Sequence, residues 1–149
     1  MSLRDATVGD LPALLELENA CYPPHQAYTR EEYRYALVRG KAVNLVLDEQ
    51  GAAIGFVGAF HHKGQRVGHV YTVNVHPKER GRGLGRELLT ACEGRLRALR
   101  MARCVLEVNV ENVEAIRLYE RCGYERTTLL ENYYTQYRVN DAWLYVKRL

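Results

Sequence analysis

The run from Val73 to Arg86 constrains this chain more than any other. An apolar strand, Val73-Asn74-Val75, enters a basic turn with glycines at 81, 83 and 85, and a helical pattern follows. Strand, tight turn and helix in that order form an anion cradle. Glycine removes the side chains that would hold an anion off the backbone. The first N–H groups of a helix point outward unpaired, with the positive end of the dipole behind them. Lys78, Arg80, Arg82 and Arg86 surround the same point with charge. Main-chain amides can wrap a diphosphate while arginine forks hold its outer oxygens, so these residues imply a ligand that carries a pyrophosphate.

Two familiar phosphate loops are excluded by spacing. The P-loop of nucleotide hydrolases needs Gly-Lys followed by Ser or Thr, and no such run occurs. The dinucleotide fingerprint needs a third glycine three residues after the second. Counted from Gly81 and Gly83 that place is Arg86, and from Gly83 and Gly85 it is Leu88. The turn also follows several strands instead of the first strand of a repeating βαβ unit.

Periodicity places the other elements. Leu3 to Thr7 reads as a strand, and Asp10 as the N-cap of a helix reaching about Ala20, which Cys21-Tyr22-Pro23-Pro24 breaks. Thr29-Arg30-Glu31-Glu32 has the spacing of a capping box for a second helix that ends near Gly40. Strands follow at Ala42 to Asp48, Ala53 to His61 and Val67 to Val75, the first two joined by a turn at Glu49-Gln50-Gly51. Leu84, Leu88, Leu89, Cys92, Leu96 and Leu99 mark one apolar stripe on a helix from Gly83 to about Arg100. A strand from Arg103 to Val110, a helix from Val113 to Cys122 capped by Asn112, and strands near Tyr124 to Leu130 and Ala142 to Arg148 complete the chain.

A chain of 149 residues suits one domain, 1–149, and buries about two thirds of its unfolded surface without staples. Net charge is +3, and the excess is read as concentrated at the glycine turn, so nucleic acid is not an expected partner. Residues 1 to 10 show no apolar core of signal-peptide length, and no run approaches the roughly 18 apolar residues of a membrane span. A cytoplasmic protein, monomer or homodimer, without membrane attachment is expected. Cysteines 21, 92, 104 and 122 form no C-x-x-C pair and read as reduced packing groups. The five histidines lack metal-ligand spacing, so no metal is expected.

The turn Arg80-Gly81-Arg82-Gly83-Leu84-Gly85 resembles motif A of the GNAT superfamily of acetyl-CoA-dependent N-acetyltransferases: Arg or Gln, two residues, Gly, one residue, Gly or Ala. A second resemblance follows about thirty residues later. Asn112-Val113-Glu114-Ala115-Ile116-Arg117-Leu118-Tyr119-Glu120-Arg121-Cys122-Gly123-Tyr124 is similar to that family's Asn-x-x-Ala-x-x-Leu-Tyr-x-x-x-Gly-Phe. The resemblance covers the chain from roughly residue 45 onward. It implies an α+β fold, a central, mostly antiparallel twisted sheet of about seven strands flanked by about four helices, and acetyl-CoA as cofactor. The cofactor-binding residues it implies are Val73, Val75, Arg80, Gly81, Arg82, Gly83, Leu84, Gly85, Arg86, Asn112, Ala115 and Tyr119.

Acetyl transfer to an amine needs a base for the amine and a proton donor for the departing thiolate. On the strand from 103, Cys104, Leu106, Val108 and Val110 form one apolar face, which leaves Glu107 on the other. The N-terminal protein acetyltransferase branch resembles this strand and implies Glu107 as general base. Tyr119 is the implied acid, since a phenol near pKa 10 stays protonated at neutral pH. His69 occupies a position that often carries a second catalytic or water-holding group in relatives, and its side-chain type suits a proton relay.

The acceptor side is implied by two aromatic segments, Tyr22-Pro23-Pro24 with Tyr28, and Asn132-Tyr133-Tyr134. Eleven tyrosines against two phenylalanines favour rings that also hydrogen-bond a peptide backbone. A protein N-terminus such as that of a ribosomal protein is one acceptor. A small amine such as a polyamine, amino acid or aminoglycoside is the alternative, and a non-catalytic acetyl-CoA-binding module is a third reading. Asn109 and the segment Pro24-His25-Gln26 depart from the N-terminal acetyltransferase pattern, both near the acceptor.

Overall fold

A computed structural model describes residues 1–149. Seven strands join one sheet: β1 (Ser2–Asp5), β2 (Ala42–Glu49), β3 (Ala52–His62), β4 (Val67–Val75), β5 (Arg103–Asn109), β6 (Glu125–Leu130) and β7 (Ala142–Arg148). Their order is β1-β2-β3-β4-β5-β7-β6, and every pairing is antiparallel except β4 with β5. The expected mixed fold of seven strands and four helices is therefore present. Sequence periodicity did not place β7 between β5 and β6.

The helices α1 (Leu11–Cys21), α2 (Arg30–Val38), α3 (Leu84–Ala98) and α4 (Val113–Arg121) cover both faces of the sheet. Alternate residues explain how. Leu45, Leu47, Val57 and Ala59 pack with Leu88, Leu89, Cys92 and Leu96 of α3. Val46 and Phe56 turn the other way onto Leu11, Leu14 and Leu17 of α1 and Tyr33 of α2. Strands covered on both faces lose the apolar-polar alternation of a one-sided sheet, which is why β2 and β3 read as nearly continuous apolar runs.

Local chemistry closes the elements as expected in most places. Gln50 and Gly51 take φ of 52° and 80° in the β2–β3 hairpin, the left-handed pair of a two-residue turn. Thr29 and Glu32 complete the capping box of α2, each side chain meeting the other's main-chain N–H. Asp10 departs from its expected role. Its carboxylate makes no cap for α1 and turns back to the Thr7 N–H at 2.7 Å and to the Arg4 guanidinium at 2.7 and 2.9 Å. A short 3₁₀ turn at Val8–Asp10 puts Asp10 in helical geometry, and from there its side chain cannot reach forward to α1.

The expected concentration of positive charge at the glycine turn is also corrected. Arg82 there is held by Glu49 at 3.0 Å and Glu79 at 2.5 Å. A larger basic group collects at the opposite end of β4, where three segments distant in sequence meet. None of the helices is long and apolar enough to cross a membrane. All four cysteines are free thiols, with Cys92 and Cys104 buried.

Candidate active site

β4 and β5 pair only at Val67, Gly68 and His69 with Arg103, Cys104 and Val105. Beyond these residues the strands part, so Val70 to Val75 and Leu106 to Asn109 border a gap with no ladder across it. β4 then leads straight into the glycine turn. The gap therefore has a closed end at His69 and an open end at the anion cradle.

Gly81 and Gly83 hold φ of +83° and +75°, left-handed geometry that glycine adopts at little cost. The main-chain N–H groups of residues 81 to 86 donate to no acceptor within the protein. The first bond of α3 runs from Glu87 N–H to the Gly83 carbonyl at 3.2 Å. Six free donors at the positive end of a fifteen-residue helix fit a diphosphate. Gly85 has a different reason. A Cβ there would lie 3.0 Å from Leu118 Cδ2, so this glycine lets α3 approach α4.

The side chains around the cradle divide in two. Arg82 is committed to its two carboxylates, and those bonds raise its guanidinium pKa further above its already high value. Its main-chain N–H stays available where its fork does not. Arg80 bends toward the Val75 carbonyl with Nε at 3.3 Å, while Arg86 is exposed. On α4, the Asn112 side chain accepts from the Ala115 N–H at 3.2 Å, so Ala115 has no free donor and Asn112 keeps its amide NH₂. Val73 and Val75 lie on the unpaired stretch of β4.

At the closed end, His69 Nε2 and Glu107 Oε1 lie 2.6 Å apart, and their side chains are 31% and 15% exposed. His69 pairs with Val105, so Glu107 is one alternation further along β5 on the same face. Cys104, Leu106 and Val108 fill the opposite face as expected. Two groups that exchange protons thus share a short hydrogen bond while staying open to the gap, the geometry a proton relay needs.

Tyr119 is buried on α4, with its ring 6.1 Å from Tyr124 and 6.5 Å from Tyr145. Its hydroxyl has no hydrogen-bond partner, yet no unpaired side-chain polar atom in the protein is sealed from solvent. The hydroxyl therefore opens onto accessible space. Burial raises this phenol above the usual tyrosine value, which keeps the proton on oxygen.

Tyrosines from the two acceptor segments close around the pair. Tyr133 lies beside Glu107, and burial together with that carboxylate pushes its phenol up to about 12. Tyr134 stacks edge-on with Tyr133 at 4.9 Å and with Tyr137 at 5.0 Å. Asp141 Oδ1 holds the Asn132 N–H at 2.9 Å and the Asn140 carbonyl holds that of Tyr134. From the other segment, Tyr28 donates its hydroxyl to the Tyr71 carbonyl at 3.1 Å. The Pro23 carbonyl closes a turn by accepting from Gln26 and Ala27. Tyr22 is half-buried, with its phenol raised by burial and then by nearby Tyr119, Glu18 and Tyr137.

Two residues escaped the sequence reading. Tyr137 belongs to the aromatic wall but sits beyond the segment that motif spacing marked. Glu18, in α1, is fully buried and accepts from the Tyr28 N–H at 3.0 Å, the Tyr33 hydroxyl at 2.5 Å and the Asn74 amide at 2.7 Å. It ties the 22–28 segment to α2 and to β4. The signal for it was a lone carboxylate next to Leu14 and Leu17 on an otherwise apolar side of α1.

Comparisons with known proteins bear on the family and the fold. Residues 11–124 match the model of the acetyltransferase (GNAT) family. A mycothiol acetyltransferase of Streptosporangium roseum is 46% identical over 65 residues, which are 44% of this chain and 19% of that protein. The chain spans less than a third of the length of the curated relatives it matches. The ribosomal-protein-S18-alanine N-acetyltransferase of Escherichia coli superposes with a TM-score of 0.88 at 24% identity, covering 99% of this chain and 92% of that one. Arabidopsis thaliana Naa50, in complex with the bisubstrate analogue CoA-Ac-MVNAL, superposes with a TM-score of 0.87 at 23% identity over 99% and 98% of the two chains. A family match over most of the chain, together with a seven-stranded sheet that parts at β4 and β5, makes this protein a member of the acetyltransferase (GNAT) family.

Proposed function

We propose that this protein transfers the acetyl group of acetyl-CoA directly to a primary amine, and that the amine is the N-terminal α-amine of a peptide or protein. The observation that carries the reading is the His69–Glu107 hydrogen bond at the closed end of the gap, walled by Tyr133 and Tyr134. Acetyl-CoA supplies an activated acetyl thioester when bound. The free N–H groups of residues 81 to 86 hold its diphosphate, and the unpaired edge of β4 at Val73 and Val75 offers main-chain partners to its amide-bearing arm. Glu107 and His69 take the proton from the acceptor ammonium. Tyr119, kept protonated by burial, holds a proton for the leaving sulfur. Asn112, with its amide NH₂ free, adds a donor beside the same gap. The four free thiols suit a reducing compartment such as the cytoplasm.

The α-amine is favoured by the wall of tyrosines from two separate segments. Each ring can cover a first side chain while its hydroxyl bonds the extended backbone behind it. The likeness to mycothiol acetyltransferases favours a small-molecule amine as the second reading.

Thiol release from acetyl-CoA, measured with peptides of varied N-terminus and with small amines, separates the two. Peptide turnover that disappears when the α-amine is blocked supports the first reading. Turnover indifferent to that block, or confined to small amines, overturns it.

A further inference from the structure

The end of the sheet opposite the cradle carries seven cations without a salt-bridge partner. Three segments meet there: the α2–β2 connection with Arg39 and Lys41, the β3–β4 turn with Lys63 and Arg66, and the end of α3 with Arg97, Arg100 and Arg103. Their meeting is shown by hydrogen bonds. The His61 N–H donates to the Lys41 carbonyl at 3.1 Å, and the Ala102 N–H to the Arg66 carbonyl at 2.7 Å. Arg66 Nε donates to the Arg100 carbonyl at 3.0 Å. Arg39 lies over the Phe60 ring at 4.7 Å, next to His61 and His62.

None of these seven side chains makes a salt bridge, and all but the half-buried Arg39 are exposed. No Asp or Glu occurs in residues 39–41, 61–66 or 97–103. Among the acids of neighbouring elements, Glu32 accepts from the Thr29 N–H, and Glu31, one turn before Tyr35, is the exposed carboxylate that borders this end. Asp5 is held by Arg95 and Glu93 by Lys147, while Glu125 opens β6 at the far edge. Arg148, opposite Arg103 on the neighbouring β7, adds a further cation at the margin of the group. The whole chain has 21 Lys and Arg against 18 Asp and Glu, so with these seven set aside the remainder is net negative. The molecule is electrostatically polar, with its positive end held by rigid strand and helix termini.

We propose that this end of the sheet docks the phosphodiester backbone of a nucleic acid. Like charges gathered without counterions work against folding and are maintained where a polyanion neutralises them. Five of the seven are arginines, whose planar forks match phosphate oxygens in pairs. Tyr35, 57% exposed and 5.7 Å from Arg39, supplies an aromatic face beside the charge on which a base can stack. The docking surface lies two residues along β4 from His69, so a bound polyanion borders the acceptor side of the active site and leaves the cradle free.

The test is fluorescence anisotropy with a fluorescein-labelled fifteen-nucleotide single-stranded RNA, titrated with the full chain from low to moderate salt. Engagement of about four phosphates predicts a log–log salt slope near −3, hence a fall in affinity of roughly 60-fold between about 50 and 200 mM salt. The variant Lys63→Glu/Arg97→Glu/Arg103→Glu should weaken binding at least tenfold and flatten the slope, with its melting temperature and its rate on a short peptide unchanged. Lys78→Glu, at the cradle end, should leave RNA binding within twofold. Absence of binding at about 50 mM salt, an unaffected triple variant, or equal losses from Lys78→Glu would overturn the proposal. So would competition by poly-glutamate or anionic phospholipid vesicles as strong, charge for charge, as that of unlabelled RNA, because the surface would then read charge alone.

Discussion

Replacing Tyr119 by Phe separates chemistry from stability. In the folded protein the Tyr119 hydroxyl has no partner, so deleting it removes no internal hydrogen bond, and the ring keeps its packing against Tyr124 and Tyr145. The stability change should stay within about 0.5 kcal/mol, the range of substitutions that touch no feature. Tyr33→Phe is the matched contrast. It removes a hydroxyl that donates to the buried Glu18 carboxylate at 2.5 Å and lies 3.2 Å from the Asn74 amide, which should cost about 1–3 kcal/mol. If Tyr119 protonates the leaving sulfur, Tyr119→Phe should slow kcat by roughly 10²-fold, equivalent to about 2.7 kcal/mol of barrier, with acetyl-CoA affinity unchanged. Burial holds its pKa above the ordinary phenol value, so the wild-type rate should show no loss from its ionisation up to about pH 10. Steady-state kinetics, calorimetric titration with coenzyme and urea unfolding provide the readouts. A wild-type kcat in Tyr119→Phe would remove the residue from the mechanism. A large stability loss would refute the claim that its hydroxyl is unpartnered.

Other substitutions test the frame that holds the site. Glu93→Ala should destabilise the protein by about 1.5–3 kcal/mol in urea unfolding, since it removes the buried acceptor of the half-buried Lys147 ammonium, 2.8 Å away, and of the Tyr124 hydroxyl. A loss under 1 kcal/mol would contradict that. Gly58→Ala should cost about 1–3 kcal/mol, because its Cβ would lie 2.2 Å from the Tyr71 ring. The cost should shrink in a Tyr71→Ala background, and additive losses would refute the clash. Asp10, held down to about 2 chiefly by its hydrogen bond to Arg4, contributes stability above its unfolded value near 3.9. That contribution fades as pH falls toward 2. Asp10→Asn should therefore cost about 1 kcal/mol at pH 7 and almost nothing at pH 2, while an equal loss at both would exclude the ion pair as its cause.

Elements whose signal is local were legible in the sequence. The α3 stripe, the Thr29 capping box and the Gln50-Gly51 turn each follow from residues within one turn or heptad of one another, and the structure has all three. Face alternation placed Glu107 correctly because Cys104, Leu106 and Val108 left it only one side. What the sequence did not show depended on partners distant in the chain. Arg82 reads as a phosphate fork until Glu49, thirty-three residues earlier, is brought to its side by the β2–β3 turn. Glu18 has no role in the sequence until Asn74 and Tyr33 arrive from β4 and α2 to bond its carboxylate. The seven cations at the far end of β4 lie in three runs too short for charge patterning to register, and only sheet closure gathers them.

The site also depends on a length that no motif carries. His69 sits at the last paired position of β4 and Val75 at the strand's end, six residues and about 20 Å on at the usual strand rise. On the proposed reading, the cradle fixes one end of an extended ligand and the His69–Glu107 pair the other, so the strand between them would act as a ruler. β4 is kept in register by its ladder with β3, which carries a bulge between Gly58 and Ala59 opposite Tyr71. The bulge turns both Tyr71 and Thr72 toward the α1–α2 face, where Tyr71 bonds Asn44 at 2.5 Å and Thr72 bonds Asn74 at 3.2 Å. Removing Asn74, in the regular part of the ladder beyond the bulge, would shorten the ruler by about 3.3 Å and reverse the facing of everything on one side of the cut. Either His69 would leave Glu107 or the glycine turn would leave the gap. The spacing from His69 to Gly81 is therefore as much a part of the proposed site as the residues at its two ends.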